Sequence, residues 1–174
     1  MYNHYILPLI NESEWLLMVD MDEYMWSPQN IDLKKILVDC SNIGQIQVNH
    51  TLFGSSGHLV QPDSIVSSFK KRGPRPTHEP GNRKYFINCK FKFSSLNVHH
   101  ATFLDKEDEL HRFIVLDGPF VMNHYNCQSR EFWDNIKCKR GDSDCYRIRK
   151  KSEFDEIDIN SIEDSDLSTQ NLPI

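Results

Sequence analysis

At 174 residues, with 39% hydrophobic and 11% aromatic side chains, the chain holds enough apolar material for the packed core of one domain or part of one. A net charge of -5 excludes a global basic field of the kind that binds nucleic acid non-specifically; the local runs Lys70-Lys71-Arg72 and 147–151 read as solvated faces. No stretch reaches the roughly 20 apolar residues that cross a bilayer, and residues 1–15 lack the basic start and apolar core of a signal peptide. A cytoplasmic location is expected for the chain as written, with Golgi or membrane association only if an N-terminal anchor is missing. The five cysteines are odd in number and form no C-x-x-C pair, so reduced, structural thiols are expected.

Residues 16–19, LLMV, are four consecutive apolar residues, too few for a helix and suited to a strand covered on both faces, as in a parallel sheet. Asp20 marks its C-terminal edge, and Asp22 and Glu23 come next. An unpaired ionised carboxylate is costly to take out of water, so these acids must lie where the strand surfaces or against a cation. Over residues 31–40 the spacing of Ile31, Leu33, Ile36 and Leu37 predicts a short helix. Ile46, Val48 and His50 alternate with polar residues as a strand does. They lead into FGSSGH at 53–58, a tight loop that is either a plain turn or one whose amides approach a ligand. Residues 72–83, RGPRPTHEPGNR, predict an exposed, mobile connection. Strands are predicted over 85–93, 98–103 and 112–116, and residues 119–125 bring the chain to NHYNCQSREFWDNIKCKRGD. There Ser129 is a helix N-cap, Phe132, Trp133 and Ile136 form an apolar stripe, and Lys137, Lys139 and Arg140 load the last turn before Gly141. The organisation expected is one domain over 1–164 with a frayed tail over 165–174.

If the first strand stays extended through Asp20-Met21-Asp22, both carboxylates point to one side and converge beyond the sheet edge, where open α/β sheets bind ligands. Two convergent carboxylates make a hard oxygen site for Mg²⁺ or Mn²⁺, and an ion there neutralises a departing diphosphate. A chance D-x-D in an acidic loop is the alternative. His124 is either a satisfied core side chain or a third ligand, in which case the imidazole favours Mn²⁺ over Mg²⁺. Lys137 and Arg140, three apart on a helix, either clamp phosphate oxygens or complement the helix dipole. His99 and His100, on a strand, point to opposite faces, which argues against a dinuclear centre.

In order along the chain, WLLMVDMDEYMW, VNHTLFGSSGH, VHHATF, NHYNCQSREFWDNIKCKRGD and FDEIDINSIED resemble the second half of the family 2-like and family 92 glycosyltransferases. The resemblance spans about residues 15–164. It implies an α/β fold of the GT-A type, a mixed sheet flanked by helices, with most of the N-terminal nucleotide-binding half absent from this sequence. It further implies that Asp20 and Asp22 hold Mn²⁺ (or Mg²⁺) on the diphosphate of a UDP- or GDP-sugar and that His124 approaches that ion. Lys137 with Arg140 would stabilise the leaving diphosphate, and Phe53, Gly54, Ser55, Ser56 and Gly57 would line the acceptor side. The acceptor would be a glycan, protein or lipid hydroxyl. The family's inverting reaction calls for a carboxylate base, for which Asp63, Glu79 and Asp117 are the candidates. A second chain supplying the donor-binding half is an expected partner, and nucleic acid is not.

Two other classes compete with this reading: a non-catalytic binding or scaffold module that kept the fold, and a metal-dependent hydrolase, which lacks a visible second metal cluster. Nucleotide-sugar binding separates them from the transferase.

Overall fold

The computed structural model describes residues 2–75, 83–140 and 147–170. Glu79, Cys145 and much of the proline-rich connection lie outside the described residues. In chain order the elements are helix α1 (Tyr2–Tyr5), a 3-10 turn (Leu7–Glu12), strands β1 (Trp15–Met18) and β2 (Glu23–Trp26), helix α2 (Leu33–Asp39), strand β3 (Gln45–Leu52), helix α3 (Ile65–Ser68), and strands β4 (Lys71–Arg72), β5 (Arg83–Asn88), β6 (Phe93–Leu96) and β7 (Ala101–Phe103). Helix α4 (Lys106–His111) and strands β8 (Phe113–Val115) and β9 (Val121–His124) follow. A segmented helix comes next, built of α5 (Arg130–Phe132), a π turn (Trp133–Lys137) and α6 (Cys138–Arg140). Helix α7 (Glu153–Ile157), strand β10 (Ile162–Glu163) and a 3-10 turn (Leu167–Thr169) complete it.

The architecture is mixed α/β, with a mixed six-stranded sheet in the order β1-β5-β3-β9-β2, β8 paired beside β3, and flanking helices. Two units are distinguished: Met1–Met21, Met25–His50 and His78–Met122 form the first, and Asp22–Tyr24, Thr51–Thr77 and Asn123–Ile174 the second. Among the described residues no helix is long and apolar enough to cross a membrane.

The first unit is organised by β5. Its residues point alternately to two cores, as a period of two requires. Tyr85 and Ile87 pack with Met18, Phe93, Leu96 and Phe103, while Phe86 packs with Leu37, Ile46, Val48, Phe120 and Met122. β1 lies antiparallel to β5, with Leu16 opposite Ile87 and Met18 opposite Tyr85, where the apolar run alone pointed to a parallel sheet. A four-residue run fixes two-faced coverage and says nothing of strand direction. β3 and β8 pair in parallel, with Ile46 opposite Ile114. The expected helix over 31–40 is α2, started by Asp32, whose carboxylate accepts from the Lys34 amide at 2.9 Å.

β3 is buried on both faces, although its sequence alternates apolar and polar. The polar set is satisfied internally: Gln45 accepts from the Ala101 amide at 2.6 Å, Gln47 donates to the His99 carbonyl at 3.1 Å, and Asn49 accepts from Arg83 Nε at 2.7 Å. The strand expected over 85–93 is two strands broken at a turn, and β6 pairs with β7 through a bulged ribbon. His99 and His100 sit in the turn of that ribbon instead of on a strand. The Asn97 side chain caps both of their amides, and the Asn97 amide donates to the His100 carbonyl at 3.0 Å.

In the second unit Phe53, Phe69 and Tyr125 form one small core, and Cys127, Trp133 and Phe154 another. Ser129 caps α5 as expected, its Oγ accepting from the Phe132 amide at 3.0 Å. The apolar stripe delivers Trp133, wholly buried, with its Nε1 donating to the Lys150 carbonyl at 3.1 Å. Residues 165–170, expected to fray, include a 3-10 turn that buries Leu167.

Candidate metal centre

β1 ends at Met18, and Met21 and Asp22 form a turn in which Met21 is 97% exposed. The extended geometry expected for the D-x-D triplet is therefore absent: a turn replaces the strand. Asp20 belongs to the first unit, where its Oδ2 lies 2.8 Å from the Nζ of Lys84. Lys84 is a lysine set in the apolar strand β5 and only 1% exposed, so a carboxylate here matches a buried cation.

Asp22, Glu23, His124 and Lys137 all belong to the second unit. The backbone holds His124 from both sides: its carbonyl accepts from the Phe53 amide at 2.9 Å, and the next amide, that of Tyr125, donates to the Asp22 carbonyl at 2.9 Å. This fixes the imidazole between two acids. Its Nε2 lies 3.8 Å from Asp22 Oδ1, and its Nδ1 lies 3.8 Å from Glu23 Oε1. Glu23 and His124 each offer a ligand atom within 4.8 Å of the other. The Asp22 and His124 side chains are 18% and 13% exposed and Glu23's is 1% exposed.

A separation of 3.8 Å is too long for a hydrogen bond. Two ligand atoms each about 2.1 Å from a shared ion lie roughly 3 to 4 Å apart, a range that includes the separation of Asp22 Oδ1 from Nε2 of His124. One imidazole nitrogen with carboxylate oxygens suits Mn²⁺ better than Mg²⁺. With Nε2 on an ion, Nδ1 would carry the ring proton, on the side of the ring where Glu23 lies 3.8 Å away. Lys137 completes the group, its Nζ 3.8 Å from Asp22 Oδ2. Arg140, its expected partner, is exposed at the end of α6.

The loop at 53–57 is a turn held by the protein's own groups. The Gly54 amide donates to the Lys71 carbonyl at 2.9 Å, Ser55 N to Asp158 at 2.5 Å, Ser56 N to Asn160 at 2.8 Å and Gly57 N to Ser55 Oγ at 3.0 Å. Those four amides are committed within the unit. Of the base candidates, Asp63 is exposed, whereas Asp117 accepts from both the backbone and side-chain amides of Asn49, at 3.0 and 2.5 Å.

Sequence reasoning passed over Glu23 as a site residue, and gave no role to Asp158 or Asn160. The signal for Glu23 was a carboxylate opening the otherwise apolar stretch EYMW; a charge there needs a partner inside the fold. Comparison of the sequence with protein-family models and with curated proteins finds no match.

Proposed function

We propose that the chain is a metal-dependent glycosyltransferase domain that moves a sugar from a UDP- or GDP-sugar to an acceptor hydroxyl with inversion. The observation that carries this reading is the meeting of Asp22 with His124 and Lys137 in one unit, since they come from two motifs about a hundred residues apart in sequence. The ordered likeness of five motifs to the family 2-like and family 92 enzymes supports it further.

When bound, a divalent ion supplies charge neutralisation for a diphosphate leaving group. Asp22 and Nε2 of His124 would hold it, with Glu23 beside the other ring nitrogen, and Lys137 would pair with a phosphate oxygen. In the reaction the bond from the anomeric carbon to the phosphate oxygen breaks and a bond to the acceptor oxygen forms. The acceptor proton passes to a carboxylate base.

Calorimetric titration of UDP and GDP, with and without Mn²⁺, tests the reading. Binding should require Mn²⁺ and should weaken at least a hundredfold in Asp22→Ala and in His124→Ala. Failure of the folded chain to bind either nucleotide, or binding indifferent to Mn²⁺ and to both substitutions, would overturn it.

A further inference from the structure

The segmented helix departs from α geometry at one place, the π turn Trp133–Lys137, and Lys137 is its last residue. A π turn inserts one residue into the helical repeat, which rotates the residues beyond it by about 100° relative to a continuous α-helix. The turn is anchored at both ends. Trp133 is fully buried, and the Lys137 carbonyl accepts from the Arg149 amide at 3.1 Å. Lys137 is thus presented to Asp22 by a local distortion, with its side chain only 18% exposed.

The two oxygens of Asp22 face different groups: Oδ1 faces Nε2 of His124 and Oδ2 faces the ammonium of Lys137. A divalent ion at the first oxygen brings a double positive charge close to that ammonium, and like charges at such range oppose one another. We propose that Lys137 is the resident counter-ion of Asp22, which competes with the divalent cation and is released onto a phosphate oxygen when an anionic ligand arrives. Metal and diphosphate then bind with positive coupling, each favouring the other. This rests on the metal-centre reading above, and adds to it that one lysine acts with opposite sign on the metal alone and on the metal–nucleotide complex.

The test compares wild type, Lys137→Met, Lys137→Arg and Asp22→Ala. Mn²⁺ affinity is read from the paramagnetic resonance of the free ion, and Mn²⁺·UDP affinity from calorimetry at saturating Mn²⁺. Lys137→Met should bind Mn²⁺ alone about fivefold tighter and Mn²⁺·UDP about tenfold weaker, with Lys137→Arg close to wild type. A merely structural lysine would weaken both. Equal or weaker binding of Mn²⁺ alone by a folded Lys137→Met overturns the inference, and if wild type still binds Mn²⁺ through Asp22 the metal centre stands without it. Absence of Mn²⁺ binding in all four proteins overturns the metal centre and this inference together.

Discussion

Glu23 and Lys84 are charges set inside apolar strands, and each is placed against an opposite or protonatable group. Lys84 meets Asp20 at 2.8 Å, and Glu23 faces His124 at 3.8 Å. The rule that a buried charge needs a partner left two places for these acids, at the strand's surfacing end or against a cation; Asp20 is half exposed beside a lysine, and Glu23 is buried beside an imidazole. Cys127 shows the same rule for a neutral group. Burial first, and the charge of Asp158 second, push its thiol up to about 12 from an ordinary 9.0. The unfolded chain loses this proton near pH 9.0 while the folded chain keeps it until about 12. Folded stability from this group is therefore complete below pH 9.0 and falls as pH rises through that window. Urea unfolding at pH 8 and pH 10 should show a loss of about 1 kcal/mol that Cys127→Ala removes. An unchanged difference in the variant would assign the loss to other groups.

At the scale of elements, the FGSSG turn depends on close backbone approach. A Cβ on Gly54 would sit 2.7 Å from the Ile159 carbonyl oxygen and against the Asn160 side chain, whereas one on Gly57 would meet open space at a φ of +85°. Gly54→Ala should cost about 3 kcal/mol by forcing the 158–160 segment away, and Gly57→Ala only about 1 to 2 kcal/mol, the cost of a left-handed residue. Parallel urea titrations check the order, and a larger loss at Gly57 would contradict it. The elements legible in the sequence were those with local causes: α2 from its spacing, β3 from its alternation, and the helix start from the Ser129 cap. The features that escaped depend on distant partners. The direction of β1 is set by β5, about seventy residues away in sequence, and the buried polar face of β3 is satisfied by Ala101, His99 and Arg83. The π turn has no composition that distinguishes it from an α-helix, so the placement of Lys137 against Asp22 could not be read from its spacing to Arg140. Likewise the turn at Met21-Asp22 gives the two aspartates different partners, where an extended strand would have aimed them alike.

For the whole molecule, each unit carries its own apolar packing. In the first unit β5 separates two apolar cores and carries the lysine that receives Asp20. In the second, small aromatic cores around Tyr125 and Trp133 support the loop and helix that position His124 and Lys137 about Asp22. Everything proposed for this chain depends on Asp22 and His124 being ligands of one divalent ion. Diffraction from crystals soaked in Mn²⁺, collected for manganese anomalous scattering, decides that point. An anomalous peak is expected about 2 Å from both an Asp22 carboxylate oxygen and Nε2 of His124, lost in Asp22→Ala. Ordered Mn²⁺ elsewhere on the protein, with none between these two side chains, would refute the metal centre.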